Sequence, residues 1–281
     1  IKDTTETVKI YWGDGTNSTG VTGNNTHVYA VGGIYTIEIE SRLFGGIYFN
    51  NLGDKAKITK IANYGQGVSR LNIGSFSGCS SLLSIDIGNI VSNGADATNQ
   101  YRGCTALTTV PLLNLSSVTN AFAMFAYCAA LTTVPLLNLS SVTNASSMFT
   151  DCTSLTTIPL LDLSSVTNAT NMFRNCTSLT TVPLLNLSNC TTATNMFRNC
   201  TSLTTIPLLD LSSVTDATNM FTGVTLTTQS YSDFLINLAT LPLQSGVSFH
   251  GGNSKYNPTA AIARAYLISN FGWTITDGGA A

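Results

Sequence analysis

The sequence predicts a mostly β solenoid with coils of about 24 residues, preceded by a β-rich module and followed by a small α/β segment. Three observations predict this fold. Six cysteines recur at intervals of 25, 24, 24, 24 and 24 residues, an aromatic residue precedes each by three positions, and all five methionines occupy one place in the repeat. A fixed period of this length is typical of repeats that each form one coil and stack on their neighbours.

Residues 1–57 are predicted to be the first module. The run from Tyr35 to Glu40 alternates in polarity with period two, as a half-buried strand does, and glycines at 13, 15, 32 and 33 indicate tight turns. The segment resembles about half of an immunoglobulin-like domain of the polycystic kidney disease (PKD) type. The resemblance implies a non-catalytic spacer or adhesion module, and it rests on Trp12, Gly13, Asp14, Gly15, His27, Tyr29, Gly33, Tyr35 and Ile37.

Residues 58–228 are predicted to be the solenoid, and its unit can be read from Leu155 to Ser178. We expect the core to be built from columns of equivalent residues, which in this unit are Leu155, Ile158, Leu160, Ala169 and Met172. An aromatic and a cysteine per coil should form a structural ladder through the interior. The ladder comprises Phe125, Phe149, Phe173, Phe197, Cys128, Cys152, Cys176 and Cys200.

The recurring motif M-F-x-x-C-x-S-L closes these units and resembles the BspA-like leucine-rich repeat family. The resemblance implies a leucine-rich-repeat solenoid of the kind found in bacteriophage virion and bacterial surface proteins. One departure is the proline in each unit, such as Pro159, where the family has a polar residue. Because proline has no N–H, we expect the strand to be short or bent there.

The ladder cysteines are predicted to be buried free thiols. Val224 takes the cysteine position in the last unit, while Cys190 takes a position otherwise held by valine. Such interchange is expected where cysteine acts as a small buried hydrophobe. Adjacent coils would still hold sulfurs near disulfide distance, so an occasional bridge stays open.

Residues 229–281 are predicted to be a C-terminal cap, because an open solenoid end needs cover. Residues 230–241 have helical spacing, and 247–252 are strand-like. Asn257 and Pro258 are typical of an N-cap and a first helical residue, with the helix ending before Gly272 and a short strand following.

Composition argues against several classes of function. Charged residues make up 9% of the chain, its net charge is −2, and no Lys or Glu occurs between Ile61 and Ser254. Without a basic stripe we expect no nucleic-acid partner, and the apolar run at 121–137 aligns as a repeat junction, so we expect no membrane span. His27 and His250 lie far apart in a chain without nucleotide or nucleophile motifs. We therefore expect no enzymatic activity, no cofactor and no metal.

The candidate interaction site is a stripe on the strand of each coil. If Ile158 and Leu160 point inward, the period-two rule turns Thr157, Pro159 and Leu161 outward. The equivalent stripe residues in neighbouring coils are Pro135, Leu137, Pro183 and Leu185. The alternative is that the coil bends at proline and buries both leucines.

A non-enzymatic, surface-exposed structural or adhesion protein fits these features best. Its expected place is the virion surface of a bacteriophage, with a bacterial cell-surface adhesin as the alternative and an ice-binding solenoid as a remote one, suggested by the paired Thr columns. We expect its partners to be other protein chains, including further copies of itself, and a host surface glycan or protein.

Overall fold

A computed structural model describes residues 8–21, 27–40, 55–62, 70–71, 76–86, 91–92 and 95–281. The chain divides into two compact units, residues 1–46 and 47–281. The division falls before the predicted module boundary at residue 57. The predicted solenoid and the predicted cap lie together in the second unit.

The first unit contains a three-stranded antiparallel sheet. Strand β1 (Val8–Tyr11) lies between β2 (Asn17–Val21) and β3 (Glu38–Glu40). The turn between β1 and β2 is closed by Asp14, whose Oδ1 accepts hydrogen bonds from the Thr16 backbone N–H at 3.0 Å and from its hydroxyl at 2.6 Å. Asp14 is therefore a turn former, as its Gly-Asp-Gly setting indicates.

In the described part of the second unit before residue 95, a 3₁₀ turn at Lys55–Lys57 is followed by four short strands. Strand β4 (Lys60–Ala62) pairs in parallel with β6 (Ser84–Asp86), and β5 (Arg70–Leu71) pairs in parallel with β7 (Val91–Ser92). Lys60 lies opposite Ser84, so the first described pairing already has the 24-residue offset of the later units.

From residue 95 to residue 227, successive units lie one above another; we call this arrangement the stack. Parallel bridges join Asn120 to Asn144 and Asn144 to Asn168, each 24 residues apart. Within this fully described range the coils consist of turns, bends and single bridges, and no regular strand forms. Regular strand content is therefore low here, although the units are joined edge to edge in the parallel sense.

Alternate backbone N–H groups join each coil to the next. In one unit Ala145, Ser147 and Phe149 donate to carbonyl oxygens of the following coil at 3.0, 2.8 and 2.9 Å. The chain can repeat this only by adopting positive φ twice per coil, at Ser147 (58°) and Asp151 (59°) in this unit. Asn and Gly tolerate that conformation best, which explains why they fill most of these positions.

The interior is a column of stacked rings surrounded by aliphatic side chains. From Phe76 to Phe221, the ring centroids of successive coils are 5.5–5.8 Å apart and their planes are within 8° of parallel. Phe125, Phe149, Phe173 and Phe197 have no exposed surface, and neither do the methionines beside them. Such stacks contribute stabilisation beyond the area they bury.

The predicted outward stripe is wrong for its leucines. Leu137, Leu161 and Leu185 are each 1% exposed and belong to the core, whereas Leu160, predicted to be buried, is 61% exposed. The alternative that both leucines are buried is wrong as well. Thr157 is exposed and the prolines Pro135, Pro159 and Pro183 are half-buried.

The physical reason is that the alternation of inward and outward side chains shifts by one residue at proline. The Leu161 N–H donates to the Pro159 carbonyl at 2.8 Å, and Leu209 repeats this bond with Pro207 at 2.9 Å. A bond over two residues closes a γ-turn, which places the central residue, Leu160 or Leu208, at the outer apex. The alternation of a strand is interrupted there, so the residue after the apex points inward.

The end of the stack is covered by helix α1 (Thr228–Leu238), strand β8 (Ser248–His250), helix α2 (Pro258–Phe271) and strand β9 (Thr274–Thr276). The predicted start and end of α2 are confirmed. The Asn257 side chain accepts a hydrogen bond from the Ala260 N–H at 2.9 Å, and Gly272 ends the helix with φ of 66°.

This segment continues the pattern of the coils before ending it. The Phe221 N–H donates to the His250 carbonyl at 3.0 Å, as it would to a next coil. The ring column then stops, because Phe234 and Phe249 meet the Phe221 ring edge-on at 6.0 and 6.1 Å. Edge-on contacts leave no parallel face on which another coil could stack.

A buried acidic network holds the last residues of the chain in place. Asp277, whose side chain is 3% exposed, accepts hydrogen bonds at Oδ2 from Tyr231 Oη at 2.9 Å and from Arg264 Nε at 2.8 Å. Arg264 also donates to the Ile275 carbonyl at 2.9 Å. Strand β9 is thereby joined to both helices.

The two leucines of one coil should respond in opposite ways to truncation. We expect Leu161→Ala to lower the free energy of unfolding by about 2–5 kcal/mol, because it leaves a cavity in the core. Leu160→Ala should change it by no more than about 0.5 kcal/mol, because the side chain is mainly in solvent. Urea titrations of both variants at low protein concentration measure the difference. Equal losses of stability would contradict the assignment of Leu160 to the surface and Leu161 to the core.

Candidate functional site

An exposed column of five leucines runs along the stack; we call it the leucine comb. Its members are Leu112, Leu136, Leu160, Leu184 and Leu208, which are 65, 60, 61, 59 and 49% exposed. Each follows a half-buried proline and lies near two exposed threonines of its own coil. Contiguous apolar surface of this kind marks an interaction site more often than isolated exposed leucines do.

The comb projects because the backbone beneath it is not joined to the neighbouring coils. In the range 95–227, the Pro-Leu-Leu segments make no backbone hydrogen bond from coil to coil. Proline removes the donor that hydrogen bonding between coils would need, and in two of the five coils a γ-turn at Pro159 or Pro207 places the leucine at its outer apex. The sequence signal that could have located the comb is the Pro-Leu-Leu triplet, in which proline shifts the alternation by one residue.

One end of the comb opens into a groove beside α1. Leu208 and Ile206 line its stack side, and Asp233, Ile236 and Asn237 line its helix side, around about 720 Å³. Ser230 joins the two sides, since its hydroxyl accepts a hydrogen bond from the Ile206 N–H at 2.9 Å. The lining of the groove is mainly apolar, and Asp233 and Asn237 are among the residues that supply its polar groups.

Threonine hydroxyls beside the comb donate hydrogen bonds within the stack. Thr132, Thr156 and Thr180 each donate a hydroxyl to the carbonyl 24 residues earlier, at 3.2–3.3 Å. The same contact recurs in other columns, for example from Thr143 to Thr119. Hydroxyl groups thus join neighbouring coils at the surface, where charged side chains would otherwise supply solubility.

The ladder cysteines are all free and buried. Cys128, Cys152 and Cys176 each donate a thiol hydrogen bond to the carbonyl of the aromatic residue in the preceding coil at 3.2 Å. Burial raises the pKa of the Cys152 and Cys200 thiols to about 12 and that of Cys190 to about 11. A thiol that stays protonated is a poor nucleophile and a poor metal ligand.

The two histidines have structural contacts and lie apart from the comb residues in the sequence. In the first unit His27 stacks on Trp12 with ring centroids 4.9 Å apart, and its Nε2 lies 2.7 Å from Asp14 Oδ2. Hydrogen bonds from Thr16 and His27 lower the pKa of Asp14 to about 2. In the second unit, Nδ1 of His250 accepts the Gly252 N–H at 3.0 Å.

The described residues carry neither a metal-ligand cluster nor a membrane-spanning helix. Among these residues, no three or more His, Cys, Asp or Glu side chains are grouped as a metal site would require. In the same part of the chain, neither helix has the length and apolar character needed to cross a bilayer.

The coils that carry the comb match the model of a known family. Residues 95–205 and 134–234 match the model of a family described as "Mycoplasma protein of unknown function, DUF285". The repeats are similar to DUF285. This match is consistent with the resemblance to BspA-like repeats. Neither the curated proteins nor the solved structures gave a significant match.

Labelling with a thiol reagent should distinguish the native from the unfolded chain. We expect all seven cysteines to be unreactive in the native protein at neutral pH and reactive in denaturant, because burial both shields the sulfur and keeps it protonated. Mass spectrometry counts the labels, and Val224→Cys provides a matched probe at the last ladder position. Rapid labelling of native ladder cysteines would contradict the burial.

The raised thiol pKa values also predict loss of stability in alkali. Above the ordinary pKa of 9.0, thiols of the unfolded chain lose protons while those of the folded chain keep them up to about pH 11–12. Unfolding then releases protons, so the free energy of unfolding should fall across this window by roughly 1.4 kcal/mol per pH unit for each thiol. Urea titrations from pH 7 to pH 10.5 measure the slope. Cys152→Val should make it shallower, and an unchanged slope in that variant would exclude the thiols as its cause.

Proposed function

We propose that this chain is a non-enzymatic, surface-exposed structural or adhesion protein, built as a leucine-rich-repeat solenoid behind an immunoglobulin-like module. The leucine comb is the observation that carries the proposal. It presents five apolar side chains in a row on the stack. A surface of this composition suits contacts with other proteins, and it offers no group suited to activating a substrate.

The chemistry of the potential nucleophiles supports this interpretation. The thiols are buried with raised pKa values, His250 is engaged with its own turn, and His27 is paired with Asp14. These thiols and imidazoles are therefore engaged in contacts that hold the fold. The first unit fits a spacer or adhesion role, in which its Trp12, His27, Tyr29 and Tyr35 rings pack in sequence against one another.

The setting we propose is the surface of a bacteriophage virion, as the resemblances of the sequence suggest. A bacterial cell-surface adhesin is the second candidate, and the description of the matching family as a Mycoplasma protein favours it. Both settings require many copies of the chain to be displayed outside a cell. Display in many copies would let weak individual contacts act together.

Immunogold electron microscopy tests the proposal and separates the two settings. Antibodies raised against the purified chain should label intact virions if it is a virion protein, and intact bacterial cells if it is an adhesin. Serum adsorbed with the purified chain is the control. Labelling of neither surface, with the chain recovered only from the cell interior, would contradict the proposed function.

A further inference from the structure

The leucine comb presents apolar side chains at the same interval as the coils themselves. We propose that it is the face through which two copies of this chain pack against each other. The inference deepens the proposed function, on which it rests, by naming the partner of the comb. It concerns the second unit alone, because the comb and all the contacts that position it lie within residues 47–281.

The size of the surface is adequate for a stable contact. Five leucines exposed by 49–65% offer on the order of 500 Å² of apolar surface, as much as the largest patch on a typical monomer. The half-buried prolines and the exposed threonines of the same coils extend the surface on one side. Together they approach the roughly 800 Å² that each partner contributes to a standard interface.

The spacing of the comb favours a second copy over an unrelated partner. Backbone hydrogen bonds of 2.7–3.0 Å hold neighbouring coils together, and the ring centroids inside them repeat every 5.5–5.8 Å. A second copy has the same interval, so each of its leucines can lie against a leucine of the first along the whole comb. A partner with another period would lose register after one or two coils.

The charge distribution permits this contact between identical faces. A twofold interface brings each patch against itself, so any like charges within it repel. The comb, proline and threonine positions carry no charge. Carboxylates near them are Asp162 and Asp210 in the next column, where 114, 138 and 186 are neutral Asn, and Asp233 beside Leu208 at one end of the comb. A second copy can therefore cover the leucines while these few carboxylates stay at the edge of the contact.

The main test compares two variants that add the same charge to neighbouring columns. The first combines Leu136→Glu, Leu160→Glu and Leu184→Glu in the comb. The matched control combines Asn114→Asp, Asn138→Asp and Asn186→Asp, which adds the same number of charges and keeps the side-chain oxygen that accepts the backbone N–H two residues later, as Asp162 does from Ser164. Light scattering measures the mass of each chain at concentrations from 1 to about 100 µM, a range in which interfaces of this size associate.

We expect the unaltered chain and the control to reach twice the 29.6 kDa of one copy. The comb variant should stay at the mass of one copy, with its dimer dissociation constant raised at least about 100-fold by the loss of central contacts. Unreactive native thiols in each variant verify that the fold is retained. If the comb variant does not fold, the single change Leu160→Glu replaces it in the same comparison.

Cross-linking locates the contact independently of mass. Leu160 is the central residue of the comb, so in a twofold dimer it lies close to Leu160 of the second copy whether the combs run parallel or antiparallel. Because the native thiols are buried, the thiol of Leu160→Cys should be the accessible one, and mild oxidation should link two copies through it. Lys255→Cys, at an exposed position in the cap, should link much less.

Two results would overturn the inference: an unaltered chain that stays monomeric at about 100 µM, or equal dimerisation of the comb and control variants. Neither would overturn the proposed function, since a monomer can present the comb to another protein on a surface. Conversely, an intracellular location in the immunogold experiment would remove the proposed function while leaving a measured dimer intact.

Discussion

The constraint on which the structure depends is the hydrogen bonding between coils through alternate backbone N–H groups. Each coil must place the same amides under the same carbonyls, as Ala145, Ser147 and Phe149 do, and it must adopt positive φ at the same two positions. The one 25-residue interval keeps this pattern by moving the acceptor one residue along, since the Phe76 N–H donates to the Gln100 carbonyl 24 residues later and the Phe125 N–H to the Met148 carbonyl 23 residues later. The near-invariant 24-residue period therefore follows from the backbone, and the side-chain columns follow from the period.

The unusual composition has the same origin. Once equivalent residues lie above one another, a charged column would bring like charges within a few ångströms at every step. Hydroxyl and amide side chains avoid that cost and can bond to the coil before them, as Thr143 does to Thr119 and Asn144 to Asn120. The same repetition inside the stack places one ring on the next and one thiol under each aromatic carbonyl. Low charge and buried cysteines are consequences of stacking.

The comb arises where this regularity is interrupted. Proline cannot donate a hydrogen bond, so the coils are not joined along the Pro-Leu-Leu segments, and two of them close a γ-turn there instead, at Pro159 and Pro207. One leucine of each segment is exposed and the next is buried. An interruption of the hydrogen bonding between coils thus coincides with a repeated surface feature. A function that depends on the comb would thus depend on the prolines, although they are themselves only half exposed.

The sequence by itself determined the period, the identity of the ring and cysteine columns, the bounds of the last helix and the burial of the thiols, because these follow from counting residues and from local capping rules. It could not determine which leucine of Leu160 and Leu161 faces solvent, since period-two reasoning assumes an unbroken strand. Only the tertiary structure decided that, by closing a γ-turn at Pro159. It also decided that the column of Phe221 ends on Phe234 and Phe249, because a contact between residues distant in sequence has no local signature.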